Sequence, residues 1–130
     1  MNQSKDPFEW LGEETLNKAE ALCGELDTRL SLDRRTRARY FPGSIVDQDA
    51  KGLTQQAVAV TVAETTSQPW VTLISSRPLP AARNAVLSYK VPPGKTVRYE
   101  GRHKASEPGK RGEADQGKHV VRFDIVKHLR

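Results

Sequence analysis

Residues 56–64, QAVAVTVAE, alternate cleanly, with Val58, Val60 and Val62 on one side and Ala57, Ala59 and Thr61 on the other. A period of two is that of a strand with one face buried. The stretch PWVTLISS (69–76) repeats it, with Val71 and Leu73 on one face and Trp70, Thr72 and Ile74 on the other. The short polar turn between them predicts a hairpin. Farther on, TVRYEGRHK (96–104) groups Val97, Tyr99 and Gly101. The stretch HVVRFDIVKHL (119–129) turns Val121, Phe123 and Ile125 one way and Arg122 and Asp124 the other. An earlier strand begins at Tyr40-Phe41, is interrupted by Pro42-Gly43, and resumes over residues 44–47.

Two segments carry the helical period instead. Over residues 6–30, Phe8, Leu11, Thr15, Ala19, Leu22, Leu26 and Leu30 recur at spacings of three and four, while Glu13, Glu14, Glu20, Glu25 and Asp27 line the opposite face. Asp6, Pro7 and Glu9 read as N-cap, N1 and N3 of that helix. The stripe implies a helix packed on the body with its acids in water; an acidic arm that docks a protein partner is the alternative. Over 81–89, Ala82, Val86 and Tyr89 share one side of a short two-turn helix, which Pro92-Pro93-Gly94 ends. The stretch ASEPGKRGEADQGK (105–118) lacks large apolar residues and reads as a flexible loop. The expected fold class is therefore α+β, mainly β. It is a five-stranded OB-like barrel, with an acidic helical arm over 1–33, a barrel domain over 34–130, and a short helix between the third and fourth strands.

Charge sharpens this picture. The chain carries a formal net charge of +5 in 130 residues, with a pI near 9.6 and a mean hydropathy of -0.65. Residues 1–33 hold three basic side chains against eight acidic ones, so the excess of cations lies entirely in the remainder. Such asymmetry favours an anionic partner, and nucleic acid over a membrane, because no basic amphipathic helix is visible. The single cysteine, Cys23, excludes an intrachain disulfide and suits a reducing cytoplasm. No apolar run approaches a signal peptide or the roughly 18 residues of a membrane span.

The candidate chemistry lies in cations and aromatics. RRTRAR supplies Arg34, Arg35, Arg37 and Arg39 just before Tyr40, and Trp70 opens a strand. Arg98, Arg102, Lys104, Lys110, Arg111, Lys118 and Arg122 gather on the last two strands and their loop. Aromatics interleaved with cations on a β-surface suit single-stranded nucleic acid, because bases stack and phosphates pair with charge. Tyr99 falls on the same face as Val97, which points it to the core. His103, His119 and His128 with the distant Cys23 make no zinc spacing, and there is no Walker loop or nucleophile elbow. No metal, cofactor or catalytic residue is assigned.

Several of these segments together resemble bacterial single-stranded DNA-binding proteins of the OB-fold class. QAVAVTVAET followed by a Trp-led strand, PAARNAVLSYKVPPG, VRYEGR (97–102) and GKHVVRFDIV (117–126) are similar to that family's successive elements over about residues 36–128. The resemblance implies a Trp70 that stacks on a base, barrels that assemble as oligomers, and a role in replication or mobile-element maintenance. The acidic helical segment and the Pro-Gly break depart from the family, whose acidic C-terminal tail has no counterpart here.

The expected function is thus binding of single-stranded nucleic acid, DNA before RNA, with little sequence preference and no membrane. Two alternatives come from other classes. One is a small metal-independent ribonuclease using His103 and His119 as acid and base. The other is an OB-fold adaptor whose acidic helix docks a protein.

Overall fold

The structure, a computed structural model, describes residues 12–30 (side chains to 27), 40–51, 55–61, 69–91, 94–109 and 117–129. The expected cap at Asp6–Glu9 lies outside them. Among the described residues one helix, α1 (Glu13–Leu30), is followed by seven strands: β1 (Tyr40–Asp47), β2 (Gln56–Thr61), β3 (Trp70–Ser75), β4 (Ala82–Val91), β5 (Lys95–His103), the two-residue β6 (Glu107–Pro108) and β7 (His119–Leu129).

Six of the strands close on themselves. The order β3-β2-β1-β4-β5-β7 is completed by pairing of β3 with β7, so each long strand has a neighbour on both edges. All pairings are antiparallel. Closure removes the open edges that would otherwise template aggregation. The short β6 adds to β7 through Glu107↔Val120 and Pro108↔His119.

The alternation read from the sequence sorts the faces as expected. Val58, Val60, Val71, Leu73, Val121 and Phe123 fill the interior, and Val97, Tyr99 and Ile125 pack against them. Tyr99 stacks between Tyr89 and His128, at centroid distances of 6.2 and 5.2 Å. Gly101 lies directly beneath Phe123, which is fully buried. A methyl group on Gly101 would stand 2.7 Å from the Phe123 ring and collide with the Asp124 carbonyl.

The fold class holds at the level of a mainly β chain with one helix and a barrel, but there are six barrel strands and not five. The additional strand is β4, the segment expected as a short helix. Ala85, Leu87 and Tyr89 face the core, while Val86 and Ser88 are buried on the other face. With both faces buried the alternation disappears, and Ala82, Val86 and Tyr89 fall at helical spacing by coincidence. Ten residues hydrogen-bonded to β1 and β5 prevail over a two-turn helix that would be marginal alone.

The connection from β3 to β4 crosses one end of the barrel. It carries Leu79, 3% exposed, into the core. Leu79 N–H donates to Ser106 Oγ at 2.7 Å, and its carbonyl accepts from Ser106 N–H at 2.8 Å. Gly109 N–H donates to Lys118 O at 3.0 Å. The first part of the expected flexible loop is therefore pinned; residues 110–116 lie outside the described residues.

The acidic helix packs on the barrel, as its stripe implies. Leu22, Cys23 and Leu26 bury against Tyr40, Ala59 and Ile74, with Val120 alongside. Gly12 N–H donates to Gln55 Oε1 at 3.0 Å, which ties the helix start to the strand it covers. Glu25 pairs with Lys118 at 3.0 Å. Among the described residues, no helix is long and apolar enough to cross a membrane.

Three outcomes are expected. Gly101→Ala overpacks the core and should lower the unfolding free energy by about 1–3 kcal/mol in a urea titration. Cys23 is buried under α1, and that burial, with Asp27 and Glu20 adding repulsion, pushes its thiol up to about 12. Near pH 8 only about one such thiol in ten thousand is ionised, so a disulfide reagent should label the native protein slowly and the denatured chain at once. The unfolded thiol, near the ordinary 9.0, loses its proton first as pH rises. The stability this contributes is whole below that value and should be lost as pH climbs towards 12, a loss that Cys23→Ala should lessen.

Candidate functional site

Antiparallel register decides which exposed side chains meet. On the outer surface Trp70 of β3 stands opposite Asp124 of β7, which stands opposite Arg102 of β5. The adjacent row joins Tyr40, Thr61, Thr72 and Arg122 across β1, β2, β3 and β7. Arg122 Nε donates to Asp124 Oδ1 at 3.1 Å, and its guanidinium carbon lies 5.9 Å from the centre of the Trp70 ring. The carboxylate orients the guanidinium, and the ring's negative face attracts it.

The expected binding residues divide into groups. Arg102, Lys104 and Arg122 are exposed, and Trp70 is half-buried beside them. Arg98 is half-buried on the outer face of β5, opposite Ser88 and Leu129. Tyr40 is a correction: it is 8% exposed and sealed under α1, because the face of β1 that it occupies is the one the helix covers. Lys118 is a second correction. Its side chain is 10% exposed and engaged by Glu25, so its charge serves the helix contact. Arg34, Arg35, Arg37, Arg39, Lys110 and Arg111 lie outside the described residues.

The histidines proposed as an acid–base pair are not brought together. His103 stands opposite Phe123, and His119 opposite Ser75. Four residues of extended chain between Phe123 and His119 amount to about 13 Å. His103 is 7% exposed, and its Nδ1 lies 2.9 Å from the Lys104 carbonyl. A carbonyl can only accept, so Nδ1 carries the hydrogen, and Nε2 of the neutral ring is an acceptor.

One feature escaped the sequence reading. At the end of the barrel where β1 finishes and β4 begins, a groove of about 520 Å³ is lined by Asp47, Asp49, Arg83, Arg102, His103 and Lys104, with Asp124 at its border with the Trp70 face. Asp47 Oδ1 accepts from Asp49 N–H at 3.0 Å, which holds the two carboxyl-bearing residues in one turn. Arg83 had no visible role because its segment was expected to be helical. Nothing in linear order links residues 47–49, 83 and 102–104. Among the described residues no group of three or more His, Cys, Asp or Glu side chains could hold a metal ion.

No family model, no curated protein and no solved structure matches the chain.

The contact of Arg122 with Trp70 is measurable. In a Trp10→Phe background, Arg122→Ala should red-shift Trp70 emission and increase its quenching by acrylamide; an unchanged spectrum would mean that the guanidinium does not cover the ring.

Proposed function

We propose that the chain binds single-stranded nucleic acid, DNA before RNA, with little sequence preference, on the outer face of β3, β7 and β5. The observation that carries this reading is the row Trp70–Asp124–Arg102, with Arg122 over the indole and Lys104 beyond Arg102. An aromatic ring and exposed cations on adjacent strands supply a stacking platform and a phosphate track in one surface. The RRTRAR run ends one residue before Tyr40. That run adds four arginines to the cationic excess of the chain. The formal charge of +5 supports the same reading. So does the resemblance to single-stranded DNA-binding proteins of OB-like architecture, which also suggests assembly of barrels; the single cysteine suits a reducing cytoplasm.

Asp124 tempers the surface. It neutralises part of Arg122, and the binding expected is moderate and dominated by phosphate contacts. Contacts of that kind carry little base information.

A labelled oligo-dT titrated at two salt concentrations tests the reading. Affinity should fall steeply with salt. Arg102→Gln and Arg122→Gln should each weaken binding and reduce the salt slope by about one. Trp70→Ala should cost about 1–3 kcal/mol with little change in that slope. Absence of binding at low salt, or affinity indifferent to salt, would overturn it.

A further inference from the structure

The groove at the β1–β4 end joins Arg102 and Lys104, which the strand-binding reading also uses, to Arg83, Asp47 and Asp49, which it does not. Arg83, Arg102 and Lys104 line it together with Asp47, Asp49 and Asp124. Arg102 stands opposite Asp124 in the sheet. Even so, Arg83, Arg102 and Lys104 make no ion pair among the described residues. Asp124 is taken up by Arg122 at 3.1 Å. The other five charged side chains line a gap of about 520 Å³, with Asp47 and Asp49 joined in one turn. That volume falls within the range of small-ligand sites.

The charges define the occupant. Two guanidiniums and an ammonium suit a dianionic phosphate better than a carboxylate, since the planar forks bind its oxygens in pairs. Carboxylates accept hydrogen bonds and repel anions, so Asp47 and Asp49 call for donors on the same molecule. Vicinal hydroxyls meet that need, as an acidic side chain on a ribose hydroxyl does elsewhere. His103, buried against Phe123 with Nδ1 committed to the Lys104 carbonyl, leaves Nε2 as a further polar atom in a residue that lines the groove.

We propose that this groove binds a phosphate monoester that also carries vicinal hydroxyls, with the phosphate on Arg83, Arg102 and Lys104 and the hydroxyls on Asp47 and Asp49. A sugar phosphate and the ribose phosphate of a nucleotide share this chemistry. The proposal does not depend on binding of a nucleic-acid strand.

The full chain, labelled with nitrogen-15, is titrated separately with ribose 5-phosphate, adenosine 5′-monophosphate, adenosine and inorganic phosphate. Ribose 5-phosphate should saturate shifts centred on residues 47–49, 82–84 and 101–104, at least about tenfold more tightly than inorganic phosphate or adenosine. Tighter binding of adenosine 5′-monophosphate would assign the site to a nucleotide, and equal binding to a sugar phosphate. Arg83→Gln and Arg102→Gln, both surface changes whose folding is checked by circular dichroism, should each weaken the monoester about tenfold. Asp49→Asn should weaken ribose 5-phosphate while leaving inorganic phosphate unchanged or tighter. Lack of saturation by either monoester, shifts outside the groove, or equal affinity for ribose 5-phosphate and inorganic phosphate would overturn the proposal. Saturation by a monoester without oligonucleotide binding would remove only the strand reading, and oligonucleotide binding without any response to monoesters would remove only this one.

Discussion

The pairing of β3 with β7 is the constraint on which the remaining structure depends. It joins residues 70–75 to residues 119–124, the most distant pairing in the barrel order, and turns a curled sheet into a closed barrel. Closure gives the interior a single packed core, with Phe123, Leu73 and Val58 fully enclosed. It also creates the outer surface on which Trp70, Arg122, Asp124 and Arg102 are neighbours. Without that pairing Trp70 would sit on an edge strand, away from Arg122 and Arg102.

Packing at the seam between β5 and β7 is equally tight. Gly101 leaves room for Phe123, and the register shifts beside it, between Glu100 and Gly101. Val126, the residue skipped by the shift, is 64% exposed, while Tyr99 and His128 are in ring contact. A bulge of this kind lets β7 bend round the barrel and still pair along its length.

Charge is partitioned by the same architecture. The acidic helix packs on β1 and β2, and its Glu25 takes up Lys118. Of the groove cations, Arg83 stands on β4, Arg102 on β5 and Lys104 just after it. Leu79, crossing the barrel end between two prolines, closes the core beside the groove and leaves His103 buried next to it.

Much of this was legible in linear order. The alternation of β2, β3, β5 and β7 named their inward residues correctly, and put Tyr99 in the core, because one face of each strand is more polar than the other. The stripe of α1 likewise announced the face that docks. What local pattern could not resolve was β4, where burial on both faces erases the period of two, and Tyr40, whose burial comes from a helix that covers β1. The groove was invisible for a related reason. Its carboxylates, its arginines and its histidine come from four strands and a turn, and only strand register sets their separation. The sequence by itself determined which residues of β2, β3, β5 and β7 turn inward and that the excess charge after residue 33 is positive, since those follow from hydrophobic burial and composition. Only the tertiary structure decided which charges meet and which stay unpaired, since a closed sheet fixes distances that chain order leaves free.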